Sequence, residues 1–366
     1  MGNNRRDWFK KTGLAALGVS LAPLEGFAFN EMNIPVATGD AKTRLSSNEN
    51  PYGPPMASRT AMAAAVNSSN RYSWSQTSQL AAAIAKKNGL VEGNVLLSAG
   101  SIDILDIAGR LAAKAKGSIV MSDTTFGYWT NAAMQLGAQK IELPLTAAKK
   151  NDLDAMLKAM RPDTRLVYIC NPNNPTGTVL KTAEFINFIK EASRKAIVLV
   201  DEAYIEFTNE KSMATLVKDN KNVIVARTFS KIYGLAGARV GYALAHADTI
   251  AEMDNMQAYV LGGVSAVSGA GALAAINDTA FVEKTRSLNE AAKSYTIREF
   301  EKLGITCIPS STNFLYFSLV NYKKDFFKLL ESSNIEGTAI FEENGKWSRI
   351  TIGTMEDMQK LIKAVL

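Results

Sequence analysis

Ala226-Arg227-Thr228-Phe229-Ser230-Lys231-Ile232-Tyr233-Gly234-Leu235-Ala236-Gly237-Ala238-Arg239-Val240-Gly241-Tyr242 is the stretch on which the reading of this chain turns. It reads as the end of a buried strand (222–226), a polar turn, a glycine-spaced segment and a second apolar strand starting near Ala238. Lys231 sits at the turn beside Ser230, and Arg239 follows eight positions later. Among small and apolar neighbours a lysine is badly placed as a surface charge. It is well placed to be desolvated, to lose its proton and to form an imine with a carbonyl. Taken alone, the same pattern also fits a loop lysine beside a strand. The rest of the chain decides between the two.

With 366 residues the chain exceeds what one hydrophobic core usually serves, so a large domain plus a smaller one is expected. An apolar content of 47% and a charged content of 21% belong to an ordinary globular protein. Of the net charge of +6, Arg5, Arg6, Lys10 and Lys11 against Asp7 and Glu25 supply +2, leaving +4 dispersed over the remainder. That balance argues against nucleic acid as a partner. Cys170 and Cys307 make neither a disulfide framework nor a metal-ligand spacing. A single histidine, His246, rules out a multi-histidine metal site and argues against a Ser-His-Asp triad; it reads as the residue closing the strand 241–245. Acid–base chemistry here must use other groups.

Residues 1–28 read as an address. Arg5 to Lys11 form a charged region, 12–22 a short apolar run, and Gly26-Phe27-Ala28 a small-residue exit, the pattern of a signal peptide cleaved after Ala28 or kept as an anchor. The run is too short and glycine-rich to span a bilayer stably. Arg5-Arg6 followed by Trp8-Phe9-Lys10 resemble the twin-arginine export signal of bacteria, with Asn4 where serine or threonine is usual. The resemblance implies a periplasmic or exported protein, folded with any cofactor before export. An N-terminal arm and linker (29–75), a large domain (76–255) and a smaller C-terminal domain (256–366) are expected to follow.

From residue 94 onward, short apolar runs at 95–97, 118–121, 141–143, 166–169, 197–200 and 223–225 alternate with helical patterns. Runs without polar alternation are strands covered on both faces, so the large domain is expected to be α/β with a mostly parallel sheet. The tail reads as α+β: a glycine-alanine-serine stretch (261–275), a long helix (281–303), a strand (313–317), a helix (323–333) and a last strand (349–352). In parallel α/β sheets, ligands gather at the carboxyl ends of strands, and the polar clusters stand there. Gly100-Ser101 opens a helix and offers backbone N–H groups to an anion. Phe126 follows a strand and could lie flat on a ring or simply pack in the core. Asn171-Pro172-Asn173-Asn174-Pro175-Thr176-Gly177 is a rigid polar turn able to aim an amide inward. Asp201 ends an apolar strand, and a buried aspartate needs a cationic partner or a proton. Ser230-Lys231 and Arg239 add an imine former and a phosphate fork. An anion cradle, an imine-forming lysine, a buried acid and a flat aromatic together describe a site for pyridoxal 5′-phosphate, with Asp201 keeping the ring nitrogen protonated.

In this order, Asn171-Pro172-Asn173-Asn174-Pro175-Thr176-Gly177, Asp201-Glu202-Ala203-Tyr204 and Ser230-Lys231 with Arg239 resemble the class I/II aminotransferases of PLP fold type I. Asn50-Pro51-Tyr52-Gly53-Pro54 and Gly234-Leu235-Ala236-Gly237 look like the histidinol-phosphate aminotransferase branch. The resemblance runs from about Leu45 to the C-terminus. It implies that Lys231 holds the cofactor as an internal aldimine and shuttles the proton, and that Asp201 pairs with the ring nitrogen. It implies that Tyr204 and Asn174 hydrogen-bond the ring's phenolic oxygen and that Phe126 stacks on the ring. Ser230, Arg239 and the Gly100-Ser101-Ile102 amides would hold the phosphate. Tyr52 would reach the phosphate of a neighbouring subunit, which implies a homodimer with shared sites. Arg349 would grip the substrate carboxylate, and Asn313 would line the site.

One departure bears on the substrate. Where that branch carries an arginine for the substrate phosphate, this chain has Phe341; a charge-assisted fork of that kind is a strong interaction to lose. Export points the same way, away from histidinol phosphate and towards an L-amino acid with an apolar or aromatic side chain as donor to a 2-oxo acid. Tyr72-Ser73, where relatives often have Tyr-Pro, is a second departure without an interpretation. Other pyridoxal-phosphate reactions (decarboxylation, elimination, oxidation) and histidinol-phosphate transamination itself stay open alternatives. Mere cofactor binding is disfavoured by the intact Lys231, Asp201 and Arg239.

Overall fold

Short apolar runs with no polar alternation become the centre of a seven-stranded sheet in the computed structural model, which describes residues 42–258 and 263–366. The export-signal reading of residues 1–28 falls outside the described residues. After β1 (Thr43–Arg44) come β2 (Val95–Ser98), β3 (Ser118–Ser122), β4 (Gln139–Leu143), β5 (Thr164–Cys170), β6 (Ile197–Asp201), β7 (Val223–Thr228) and β8 (Gly241–Ala245). The sheet order is β2-β8-β7-β6-β5-β3-β4, with β4, β3, β5, β6 and β7 mutually parallel and β8 antiparallel to both its neighbours.

Period-two alternation sorts the side chains onto two dry faces. Val167, Ile169, Val198, Val200 and Val225 meet the helices Trp74–Lys87, Thr182–Ala192 and Ala266–Asn277 on one side. Leu166, Tyr168, Cys170, Leu199 and Ile224 meet Ser101–Ala112 and Ala247–Asp254 on the other. Each fully buried leucine or isoleucine in these layers contributes about 2 kcal/mol of transfer free energy. Both faces are thus closed, and the carboxyl ends of β3, β5, β6 and β7 become the open edge where polar turns can gather.

The C-terminal part forms a second sheet from β9 (Thr306–Ile308), β10 (Phe314–Ser318), β12 (Ile340–Glu342) and β13 (Trp347–Thr351), ordered β12-β13-β10-β9 and antiparallel throughout. Helices Thr279–Lys302 and Met355–Val365 cover it, and Phe300, Phe317, Ile350 and Leu361 share its core. β11 (Ile335–Glu336) pairs in parallel with β1. Leu45, just after β1, is buried in the same C-terminal core. The loop 46–50 is therefore tied to the C-terminal sheet at the mouth of the main one.

Two local differences from the sequence expectation have physical reasons. The second strand of the opening stretch begins at Gly241, not near Ala238, because Ala236–Ala238 is a 3-10 turn and Arg239 adopts a left-handed φ of 55°. That turn brings the Arg239 guanidinium back to the strand ends. His246 does close β8, and its Nδ1 also accepts the Asp248 N–H at 3.2 Å, capping the next helix.

Candidate active site

A cleft of 970 Å³ opens at the carboxyl ends of the central strands, lined by turns after β3, β5, β6 and β7 together with the 46–49 loop, β12 and Arg349. Ser101, Ile102, Phe126, Asn174, Asp201, Tyr204, Ser230, Lys231, Arg239, Phe341 and Arg349 all lie on its wall. Three residues named from the sequence do not. Gly100 stands one position behind Ser101, as the residue preceding the helix. Asn313, expected to line the site, holds the loop that does line it. It is buried behind the 46–49 loop, and its Nδ2 donates to the carbonyls of Asn48 (3.0 Å) and Glu49 (3.2 Å). Tyr52 is absent from the wall of its own chain's cleft.

One end of the cleft is an anion cradle. Gly100 has φ 94°, and a Cβ there would fall 2.0 Å from Nη2 of Arg239. A Cβ on Gly241 would fall 2.3 Å from the Ser101 amide nitrogen. Only glycines let Arg239 and the start of helix Ser101–Ala112 approach this closely. The Arg239 guanidinium donates to the Ala236 carbonyl at 3.0 Å, the Ala99 carbonyl at 3.2 Å and Ser230 Oγ at 3.4 Å. The guanidinium has no carboxylate partner among the described residues, and it converges with Ser230 and a helix N-terminus on one spot.

The opposite end is built around Arg349. Its Nη1 donates to Asn174 Oδ1 and its Nη2 to the Ser46 carbonyl, both at 2.6 Å, while Nε is buried without a hydrogen-bond partner. The guanidinium carbon lies 5.4 Å from the ring centres of both Phe314 and Phe341. Burial lowers its pKa. A desolvated guanidinium near two rings, with no carboxylate partner among the described residues, is a receptor for one.

Between these ends stand the titratable groups. Burial, joined by the positive charge of Arg349, pushes the Lys231 amine down to about 8. Its Nζ donates to the Ser47 carbonyl at 3.1 Å and lies 5.7 Å from the Tyr204 ring centre. Burial pushes the Asp201 carboxyl up to about 6, with the Ala203 N–H and the Tyr168 O–H, both at 3.1 Å, opposing the rise. Asp201 is 3% exposed and has no salt-bridge partner among the described residues. The Tyr204 hydroxyl accepts Asn48 Nδ2 at 3.0 Å and Asn174 Nδ2 at 3.5 Å, and burial keeps it neutral by raising its pKa. Phe126 meets Tyr128 edge-on at 5.6 Å along the rim.

Several wall residues escaped the sequence reading. Asn48 is one: it is 1% exposed, and it also bonds Thr351, a residue 303 positions away. Its place in the Asn48-Glu49-Asn50 turn is the signal that could have raised it. Behind the wall, Tyr168 also escaped it: buried in the core and bonded to Asp201, it is hidden inside an apolar strand run, where a hydroxyl in an otherwise hydrocarbon sequence is the one hint. Among the described residues no group of three metal-binding side chains occurs, and no helix is long and apolar enough to cross a membrane.

The model of the family described as "Aminotransferase class I and II" matches residues 40–365. Histidinol-phosphate aminotransferase from Moorella thermoacetica is 34% identical over 330 residues, covering 88% of this chain and 84% of that protein. Histidinol-phosphate aminotransferase 2 from Ralstonia nicotianae is 35% identical over 330 residues, covering 88% and 87%. The crystal structure of histidinol-phosphate aminotransferase from Sinorhizobium meliloti in complex with pyridoxal-5′-phosphate superposes with a TM-score of 0.81 at 26% identity, covering 89% of this chain and 90% of that one. The chain belongs to the class I and II aminotransferases. Its fold is PLP fold type I, and its reaction class is pyridoxal-phosphate-dependent amino transfer.

The residues present fit that cofactor. Asp201 is a buried carboxylate lacking a cation, which a protonated ring nitrogen would supply. The cradle of Gly100, Ser101, Ser230 and Arg239 lacks an anion, which a phosphate would supply.

Proposed function

We propose that the chain transfers the amino group of an L-amino acid with an apolar or aromatic side chain to a 2-oxo acid, using pyridoxal phosphate held at Lys231. The observation that carries this reading is one cleft holding a lysine amine with a pKa of about 8, a cation-free buried aspartate and an unpaired anion cradle. When bound, the cofactor supplies a carbonyl for imine formation and a sink for the electrons of the broken Cα–H bond. Lys231 would hold the cofactor through its amine, and its Nζ would be the base for the substrate's α-proton. Asp201 holds the ring-nitrogen proton. Asn174 and Tyr204 present polar groups to the ring's phenolic oxygen. Ser230, Arg239 and the amides from Gly100 to Ile102 would hold the phosphate, and Phe126 would cover the ring. Arg349 binds the substrate carboxylate.

Phe341 supports the choice of donor. Its ring covers one side of Arg349 and offers no charge for a substrate phosphate. The relatives' names favour a second reading, in which histidinol phosphate is the donor. Stopped-flow absorbance of the holoenzyme against a panel of L-amino acids and histidinol phosphate, without an acceptor, separates the two. The first reading expects bleaching of the yellow form with one equivalent of 2-oxo acid from an apolar or aromatic donor. Bleaching by histidinol phosphate alone selects the second, and release of carbon dioxide, ammonia or peroxide with the colour retained selects another reaction on this fold.

The working assembly in this reading is a homodimer in which Tyr52 reaches the partner's cofactor phosphate. Two features support it: Tyr52 is absent from its own cleft, and Met56, Val66, Tyr72 and Trp74 form exposed apolar surface on the same stretch of chain. Light scattering after size exclusion tests it. Residues 1–28 make the protein exported through the twin-arginine route, which fractionation of a tagged full-length chain tests against a variant with Arg5 and Arg6 replaced by lysine.

A further inference from the structure

Asp201 is served from beneath by a group that the reaction as described leaves unused. Strands β5 and β6 are parallel and in register, with Tyr168 opposite Leu199 and Cys170 opposite Asp201. Register partners share a face, so Tyr168 lies diagonally across from Asp201 on the same side of the sheet. The phenol is fully buried, its ring 5.0 Å from Trp129 in a tilted contact, with Leu166 and Leu199 in the same core. Its O–H donates to Asp201 Oδ2 at 3.1 Å, while the Ala203 N–H donates to Oδ1 at the same distance.

Each carboxylate oxygen thus receives one fixed donor from the protein. The rest of the carboxylate faces the cleft, which Asp201 lines. The titratable neighbours that bear on this pair are Cys170, on the same strand as Tyr168, and Lys231 across the cleft. A donor in a hydrocarbon layer has one evident purpose, because burying a hydroxyl without a partner is costly. Here the partner is the carboxylate.

We propose that Tyr168 is a positioning residue for the reaction: its hydroxyl locks and stabilises the Asp201 carboxylate so that the carboxylate can hold the proton on the cofactor's ring nitrogen. The inference rests on the cofactor reading above and extends it to a residue that never touches the cofactor.

The test compares wild type with Tyr168→Phe, which keeps the buried ring. Cofactor-free protein is titrated with pyridoxal phosphate and, separately, with the analogue that has carbon in place of the ring nitrogen. The expected result is a roughly tenfold loss of affinity for pyridoxal phosphate in the variant, the scale of one hydrogen bond to a charged group. The analogue should bind wild type and variant equally, since it offers Asp201 nothing to hold. The pH midpoint of the bound cofactor's absorbance change should move up, because a ring that keeps its proton less well withdraws fewer electrons. In an Asp201→Asn background, Tyr168→Phe should cause no further loss. Equal affinity of wild type and Tyr168→Phe for pyridoxal phosphate overturns the proposal. So does an equal loss for both ligands, which would mean a packing role only. Failure of the wild-type protein to take up pyridoxal phosphate would overturn the cofactor reading itself, and is distinguished by the wild-type titration alone.

Discussion

Replacing Asp201 by asparagine should stabilise the cofactor-free protein while weakening its hold on the cofactor. The carboxyl is 3% exposed, lacks a salt-bridge partner and is lifted to about 6. A lift of that size from an ordinary value near 4 corresponds to about 3 kcal/mol of unfavourable charge burial at neutral pH. The sign follows from proton counting. Between about pH 4 and 6 the native carboxyl binds more protons than the unfolded one, so stability falls as pH rises through that window, and the penalty is complete above it. Asparagine keeps an acceptor for the Ala203 N–H and removes the charge. Urea unfolding of the cofactor-free proteins should therefore show Asp201→Asn more stable by up to about 3 kcal/mol at pH 7.5, with the advantage gone near pH 4. In pyridoxal phosphate titrations the same variant should bind at least about tenfold more weakly, having lost a charge-assisted pair. A cofactor-free variant less stable than wild type at pH 7.5, or one with undiminished affinity, would refute the reasoning.

Four further outcomes follow from the cleft. Gly100→Ala places a Cβ against the Arg239 guanidinium at a positive φ, so the cofactor-free protein should lose more than about 1 kcal/mol and pyridoxal phosphate affinity should drop; thermal melts with and without cofactor check both. The rate of cofactor capture by cofactor-free protein should rise with pH to a midpoint near 8, where Lys231 loses its proton. Arg349→Gln, by removing a positive neighbour, should move that midpoint upward in the same stopped-flow experiment. Phe341→Arg sets a second cation beside Arg349. Turnover of phosphorylated amines should then gain less than about tenfold, far below what a working phosphate fork supplies.

What was legible in the sequence is what turn chemistry announces. Asp201 ends a strand, Ser230 and Lys231 follow one closely, and a polar residue breaking an apolar run marks itself; the roles of Asn174 and Tyr204 came with the family resemblance. Phe341 and Arg349 were reached by resemblance to the family, and both stand on the cleft wall. The residues missed or misplaced depend on long-range geometry. Tyr168 meets Asp201 only through the register of two strands buried on both faces, where no polar alternation tells one face from the other. Asn48 reaches Tyr204 across 156 positions. Asn313 Nδ2 fastens the 46–49 loop across more than 260 positions. The late start of β8 was hidden because nothing in Ala236-Gly237-Ala238 signals that the arginine after it will turn left-handed.

The central claim is that Lys231 carries the cofactor and gives it up to an amino donor. Borohydride reduction of the holoenzyme, followed by digestion and mass spectrometry, tests it most directly. The account predicts a pyridoxyl group on the peptide containing Lys231, and its disappearance when the amino donor is added before reduction, with an equal amount of 2-oxo acid released. A label on any other lysine, or one that persists undiminished after saturation with every donor in the panel, would contradict it.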